Sequence, residues 1–137
     1  MKKILMLTTG GTIASADTPE GLAPQGVNEI LTNMGQAYPD MELVTRELLT
    51  LDSSNIQPEE WCVIAQAIYQ SLPQFDGIVV THGTDTMAYT ASMMSFMLKN
   101  PSIPIVFTGS QLPISDPLTD AVSNLHCACL LYTSRCV

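Results

Sequence analysis

Short aliphatic runs recur at Ile4–Thr8, Leu43–Arg46, Ile78–Thr81 and Ile105–Thr108, separated by loops and by stretches long enough for a helix. Near-continuous apolar runs of this length, bounded by polar and glycine-bearing residues, predict buried strands, and the helix-length intervals predict βαβ units. Between the second and third runs, "QPEEWCVIAQAIYQSL" offers Pro58 and two glutamates at a helix start, and repeats apolar residues at Trp61, Ile64, Ala65, Ile68 and Leu72. Three- and four-residue steps of that kind put one face of a helix on a sheet. "MAYTASMMSFMLKN" predicts a second helix, starting from Thr86 and stopping at Lys99–Asn100 before Pro101, with its methionines and Phe96 turned to the core. "TDAVSNLHCA" predicts an amphipathic helix after the fourth strand.

The chain has 137 residues, 46% of them hydrophobic and 6% aromatic, which suits one globular domain with an aliphatic core. Thirteen acidic residues against five basic ones give a formal charge of −8, a balance that repels phosphate backbones and anionic lipid. Nucleic acid and membrane surfaces are therefore poor partners, and a small uncharged or zwitterionic ligand suits the chain better. The opening "MKKILMLTTGG" carries two lysines, but its apolar run ends at threonines and glycines, too early for a signal peptide. No stretch approaches the roughly 20 apolar residues of a membrane-spanning helix. Cys62, Cys127, Cys129 and Cys136 lack a metal-ligand spacing and read as core thiols of a reducing cytoplasm. No repeat or linker marks a second domain.

Three of the expected strands run into loops of one chemistry: "TTGGTIAS", "THGTDTM" and "TGSQLPISD". In an open parallel sheet the carboxyl ends of the strands lie at one edge, so such loops converge on one site. Gly10, Gly11, Gly83 and Gly109 let backbone amides approach a ligand closely beside threonine hydroxyls, an arrangement suited to an oxyanion or a carboxylate. Neither G-x-G-x-x-G nor G-x-x-x-x-G-K-[ST] occurs, which removes dinucleotide and P-loop readings. His82 alone reads more readily as a structural residue than as a catalyst, and it is the joint appearance of the loops that points to a site.

"TGGTIAS" (Thr9 to Ser15) and "VVTHGTDTM" (Val79 to Met87) resemble the two signature segments of the bacterial-type L-asparaginase family, and "DSSN" (Asp52 to Asn55) and "PIVFTGSQLP" (Pro104 to Pro113) follow the family pattern as well. The likeness runs to about Ala128, and the variants "GTIAS", "DSSN" and "SQLP" are similar to the cytoplasmic type I branch. The resemblance implies a three-layer α/β domain with a mostly parallel sheet, the N-terminal part of a two-domain amidohydrolase. It implies hydrolysis of L-asparagine to L-aspartate and ammonia without metal or other cofactor. By the same resemblance Thr12 is the nucleophile, and Thr84 and Asp85 belong to a Thr–Lys–Asp constellation that activates it or a water, with Asp85 also meeting the substrate's ammonium group. Ser53 and Ser54 match the position that holds the α-carboxylate, and Gly11, Gly83 and Ser110 supply contacts nearby. The full-length form is expected to be a homodimer or homotetramer, with sites shared between subunits.

The chain departs from the family pattern in two places. Leu22 stands where a lid tyrosine is expected, leaving Asp17 and Glu20 of that segment unassigned, and the constellation's lysine falls beyond Val137. Lys2, Lys3 and Lys99 are placed away from the strand carboxyl ends and cannot replace it. Two alternatives stay open: the asparaginase-like subunit of glutamyl-tRNA amidotransferase, and an amino-acid-binding module without turnover. Finally, residues 1–128 are expected to form an incomplete N-terminal domain and 129–137 a non-native tail, because Tyr132, Thr133 and Ser134 replace helix formers. One back-translation of that tail reads as two transposon ends joined head to head. Such a chain is then expected to be inactive.

Overall fold

The computed structural model of the chain describes residues 1–14, 16–18, 21–23 and 39–131. Ser15, Glu20 and the polar residues expected to end the last helix, with Cys136, lie outside the described residues. The elements are strand β1 (Lys2–Thr8), a 3-10 turn (Thr12–Ala14), the hairpin strands β2 (Ala16–Thr18) and β3 (Gly21–Ala23), and strand β4 (Met41–Glu47). A second 3-10 turn (Ser53–Asn55), helix α1 (Pro58–Ser71), strand β5 (Gly77–Thr81), helix α2 (Met87–Met97), strand β6 (Ile105–Thr108) and helix α3 (Ala121–Leu130) follow.

Four strands form one sheet in the order β4-β1-β5-β6, and every neighbouring pair is parallel. The aliphatic runs are continuous because the sheet is covered on both faces. Along β1 the side chains alternate: Ile4 and Met6 pack with Ala121, Leu125, Ala128 and Cys129 of α3, whereas Leu5 and Leu7 pack with Ile64, Ala65, Ile68 and Met94 of α1 and α2. Three layers result, as the sequence leads one to expect. The start of α1 also follows the expectation, with Pro58 at its first turn and Glu60 Oε2 accepting the Gln57 N–H at 2.7 Å.

Helix α2 corrects one expectation. Phe96 is 76% exposed, and Tyr89 and Met97 are exposed too, while Met94 and Thr90 are the buried residues. At about 100° per residue, Phe96 lies about 200° around the helix from Met94, so a helix seated on the sheet through Thr90 and Met94 must turn Phe96 to solvent. Helix α3 runs through Cys129 to Leu130, and Cys129 is buried in the core, so the expected boundary at Ala128 does not coincide with a helix end. No helix among the described residues is long and apolar enough to cross a membrane.

Candidate active site

The parallel register decides where the site lies. Thr8 is paired with Thr81, and Thr81 with Thr108, so three buried threonines stand side by side at the carboxyl ends of β1, β5 and β6. The chain leaves the sheet at that row, and the three loops of similar chemistry depart from neighbouring points. Hydrogen bonds continue the pairing beyond the strands: Thr9 donates both its N–H (3.1 Å) and its hydroxyl (2.9 Å) to the Thr81 carbonyl, and the His82 N–H donates to the Thr108 carbonyl at 2.9 Å.

Beyond the row, the loops touch backbone to backbone. Gly11 has φ +84°, and a Cβ placed there would lie 2.7 Å from both Cα and N of Gly83. A Cβ on Gly83 would in turn lie 2.5 Å from Ser53 Oγ. The first loop therefore rests on the second, and the second on the segment after β4, at distances only glycine permits. Thr12 opens the 3-10 turn next to Gly11 and is half-buried. Thr84, half-buried, and Asp85, exposed, follow Gly83 directly.

Ser53 is 3% exposed and Ser54 is exposed. Asp52 Oδ1 accepts the Ser54 N–H at 3.0 Å and its hydroxyl at 2.7 Å, which hold the Asp52 carboxyl below its ordinary range, the hydroxyl bond contributing more. Thr86 Oγ1 donates to the Ser53 carbonyl at 2.7 Å. On the far side Ser110 is buried, with its hydroxyl donating to the Leu112 carbonyl at 2.7 Å. Asp120 clamps this turn by accepting the N–H groups of Gln111 (3.0 Å) and Leu112 (3.2 Å), and Asn124 Nδ2 donates to the Gly109 carbonyl at 2.9 Å. Burial pushes the Asp120 carboxyl upward, but the bonds from Gln111, Leu112, its own N–H and Asn124 together outweigh it and hold the group below its ordinary value.

His82 is completely buried. Its Nδ1 lies 2.7 Å from the Gly83 carbonyl oxygen and so must carry the hydrogen, which leaves Nε2 as the acceptor. Among the described residues neither His82 Nε2 nor Thr81 Oγ1 has a partner. Burial lowers the imidazole's pKa, with the Gly83 carbonyl pulling the other way.

The match to the model "Asparaginase, N-terminal" covers residues 3–136. The chain belongs to the asparaginase family. It is 51% identical over 128 residues to the L-asparaginase of Thermococcus kodakarensis, an alignment covering 92% of this chain and 39% of that one. A glutamyl-tRNA(Gln) amidotransferase subunit of Thermoplasma acidophilum is 36% identical over 129 residues, covering 93% of this chain and 32% of its own length. The solved structure of the thermostable T. kodakarensis L-asparaginase superposes with a TM-score of 0.86 at 49% identity, over 95% of this chain and 40% of that one. The chain thus spans about two fifths of the length of these asparaginase relatives.

Within this asparaginase fold, residues from all three loops and from the segment after β4 gather at one sheet edge: Gly11 and Thr12, Ser53 and Ser54, Gly83 to Asp85, and Ser110. Leu22 pairs with Asp17 across the β2–β3 hairpin. Lys2 and Lys3 sit at the opposite end of β1, ion-paired to Asp76 (3.1 Å) and Glu42 (3.6 Å). Among the described residues no three His, Cys, Asp or Glu side chains gather to hold a metal. Sequence reasoning missed Thr86, Asp120 and Asn124, although the first two stand at helix starts where a capping side chain is usual.

Proposed function

We propose that this chain is the N-terminal part of an L-asparaginase that hydrolyses L-asparagine to L-aspartate and ammonia in the cytoplasm, as a homodimer or homotetramer. The observation that carries the reading is the stacking of Gly11 on Gly83 and of Gly83 on Ser53, which collects three hydroxyl-bearing segments around one point. Thr12 Oγ attacks the side-chain amide carbon, its proton leaves with the amide nitrogen as ammonia, and an ester to Thr12 remains. Water then attacks that ester, releasing L-aspartate and restoring the threonine hydroxyl. Thr84 and Asp85 assist proton transfer, Asp85 meets the ammonium group, and Ser53 and Ser54 receive the α-carboxylate beside the backbone of Gly11, Gly83 and Ser110. No metal or cofactor takes part. Because the chain spans about two fifths of its asparaginase relatives, residues outside it are expected to complete the site, and the 137-residue chain alone is expected to release no ammonia.

The test is ammonia release from L-asparagine by the complete protein. Thr12→Ala is expected to lower turnover by on the order of a thousandfold or more, and a near-normal rate in that variant would move the nucleophile to Thr84. The similarity to the glutamyl-tRNA(Gln) amidotransferase of T. acidophilum supports a second reading. A protein of that kind would release ammonia in step with transfer to a glutamyl-tRNA acceptor rather than freely. Heat of binding with L-aspartate but no ammonia from any amide would instead favour an amino-acid-binding module.

A further inference from the structure

Thr86 stands at the N-cap of α2, where a threonine hydroxyl ordinarily accepts an N–H of the first helical turn, yet its side chain makes no such bond. The hydroxyl reaches out of the helix and donates to the carbonyl of Ser53, 33 residues away in the chain, at 2.7 Å. One helical turn later the bridge repeats, with Trp61 Nε1 donating to the buried hydroxyl of Thr90 at 3.0 Å. Two rungs thus join α2 to the stretch running from Ser53 into α1. Ser53 is held from two sides, since Gly83 lies under its Oγ and Thr86 holds its carbonyl. Thr84 and Asp85 lie on the backbone between those two contacts, so the separation of Ser53 from them is tied to both.

We propose that Thr86 is a positioning residue that fixes Ser53, the group receiving the substrate's α-carboxylate, at a set distance from Thr84 and Asp85. The inference rests on the asparaginase reading. In that frame Thr86 touches no reacting atom, and its loss lets the carboxylate end of the site drift while the nucleophile keeps its place. The consequence falls on ground-state binding of the amino-acid end, hence on KM, rather than on kcat.

The experiment compares Thr86→Val and Thr86→Ser in the complete protein, with L-asparagine as substrate and L-aspartate as inhibitor. Valine keeps the branched shape and removes the hydroxyl, and because no capping bond is lost, the helix start is left as it was. Thr86→Val is expected to raise KM and the L-aspartate inhibition constant by on the order of tenfold with kcat changed by less than about twofold, and Thr86→Ser to bring both back to within about twofold of the parent. Thr86→Ala removes the same hydroxyl and carries the same expectation if the valine variant does not fold. An unchanged KM, or a fall in kcat at constant KM, overturns the proposal. If the parent protein itself fails to turn over L-asparagine, the asparaginase reading falls. The bridge is then tested by amide hydrogen exchange at Ser54 to Ile56, expected to quicken about tenfold in Thr86→Val and not in Thr86→Ser, equal exchange in all three proteins overturning it.

Discussion

Replacing Gly11 by alanine tests the stacking of the loops on which the site depends. Two costs combine there. The backbone at φ +84° disfavours an L side chain by about 1–2 kcal/mol. The new methyl also lies 2.7 Å from Gly83 Cα and N, backbone atoms that cannot rotate aside, and overpacking of this kind costs about 1–3 kcal/mol. The sum is about 2–5 kcal/mol against a net stability of about 5–15 kcal/mol. Gly83→Ala provides the internal standard. Its methyl meets chiefly the side chain of Ser53, at 2.5 Å from Oγ, and it has no positive φ to lose, so only the overpacking cost of about 1–3 kcal/mol applies. The gain from restricting the unfolded chain is common to both variants and cancels. Urea denaturation at one temperature gives the comparison: with a slope of about 2 kcal/mol per molar, Gly11→Ala is expected to lower the midpoint by about 1–2.5 M, and by more than Gly83→Ala does. A Gly11→Ala protein as stable as the parent, or more stable than Gly83→Ala, would refute the contact between the first and second loops.

Acid should weaken the fold in two steps. Because burial holds His82 below its ordinary value of 6.5, the unfolded chain takes up a proton that the folded chain refuses, so stability is full above that value and declines as pH falls below it. Urea midpoints measured from about pH 7.5 to about pH 5 should drop in the parent and drop less in His82→Gln, equal slopes counting against the buried neutral imidazole. Further down, Asp76, held low first by the Lys3 N–H and then by Lys2, loses its contribution as pH falls below 3.8, as do Asp52 and Asp120. Thiol chemistry gives an independent check of α3. Of the cysteines expected in the core only Cys129 is buried among the described residues, Cys62 and Cys127 lying on the outward faces of their helices, and burial pushes the Cys129 thiol up to about 11. Iodoacetamide at about pH 8 should label Cys62 and Cys127 and spare Cys129 until denaturant is added, as read by peptide mass spectrometry, and prompt labelling of Cys129 would contradict its packing against Ile4 and Met6.

The aliphatic runs at Ile4–Thr8 and Ile78–Thr81 were legible as strands because full burial on both faces leaves no polar position to interrupt them. The start of α1 was legible because Pro58 and Glu60 act within one turn of where they stand. The convergence of the three similar loops was legible because they follow strands of a parallel sheet, whose carboxyl ends lie at one edge. The seating of α2 was not. An apolar helix whose surface is rich in methionine and aromatic residues offers more than one face to a sheet, and only contact with α1 and the sheet selected Thr90 and Met94 over Phe96.

What the sequence determined by itself is therefore whatever neighbouring residues settle among themselves: strand or helix, the place of a turn, and the chemical character of each loop. The tertiary structure decided which loops meet and what each polar group spends its hydrogen bond on. The alignment of Thr8, Thr81 and Thr108 follows from the pairing of strands distant in the chain. The hydroxyl of Thr86 and the carboxylate of Asp120, both at helix starts, were free by local rules to cap their own helices, yet they bond to Ser53 and to Gln111 and Leu112. A cap and a tether use the same side-chain atoms, and the choice between them depends on a backbone group that only the folded chain brings within reach.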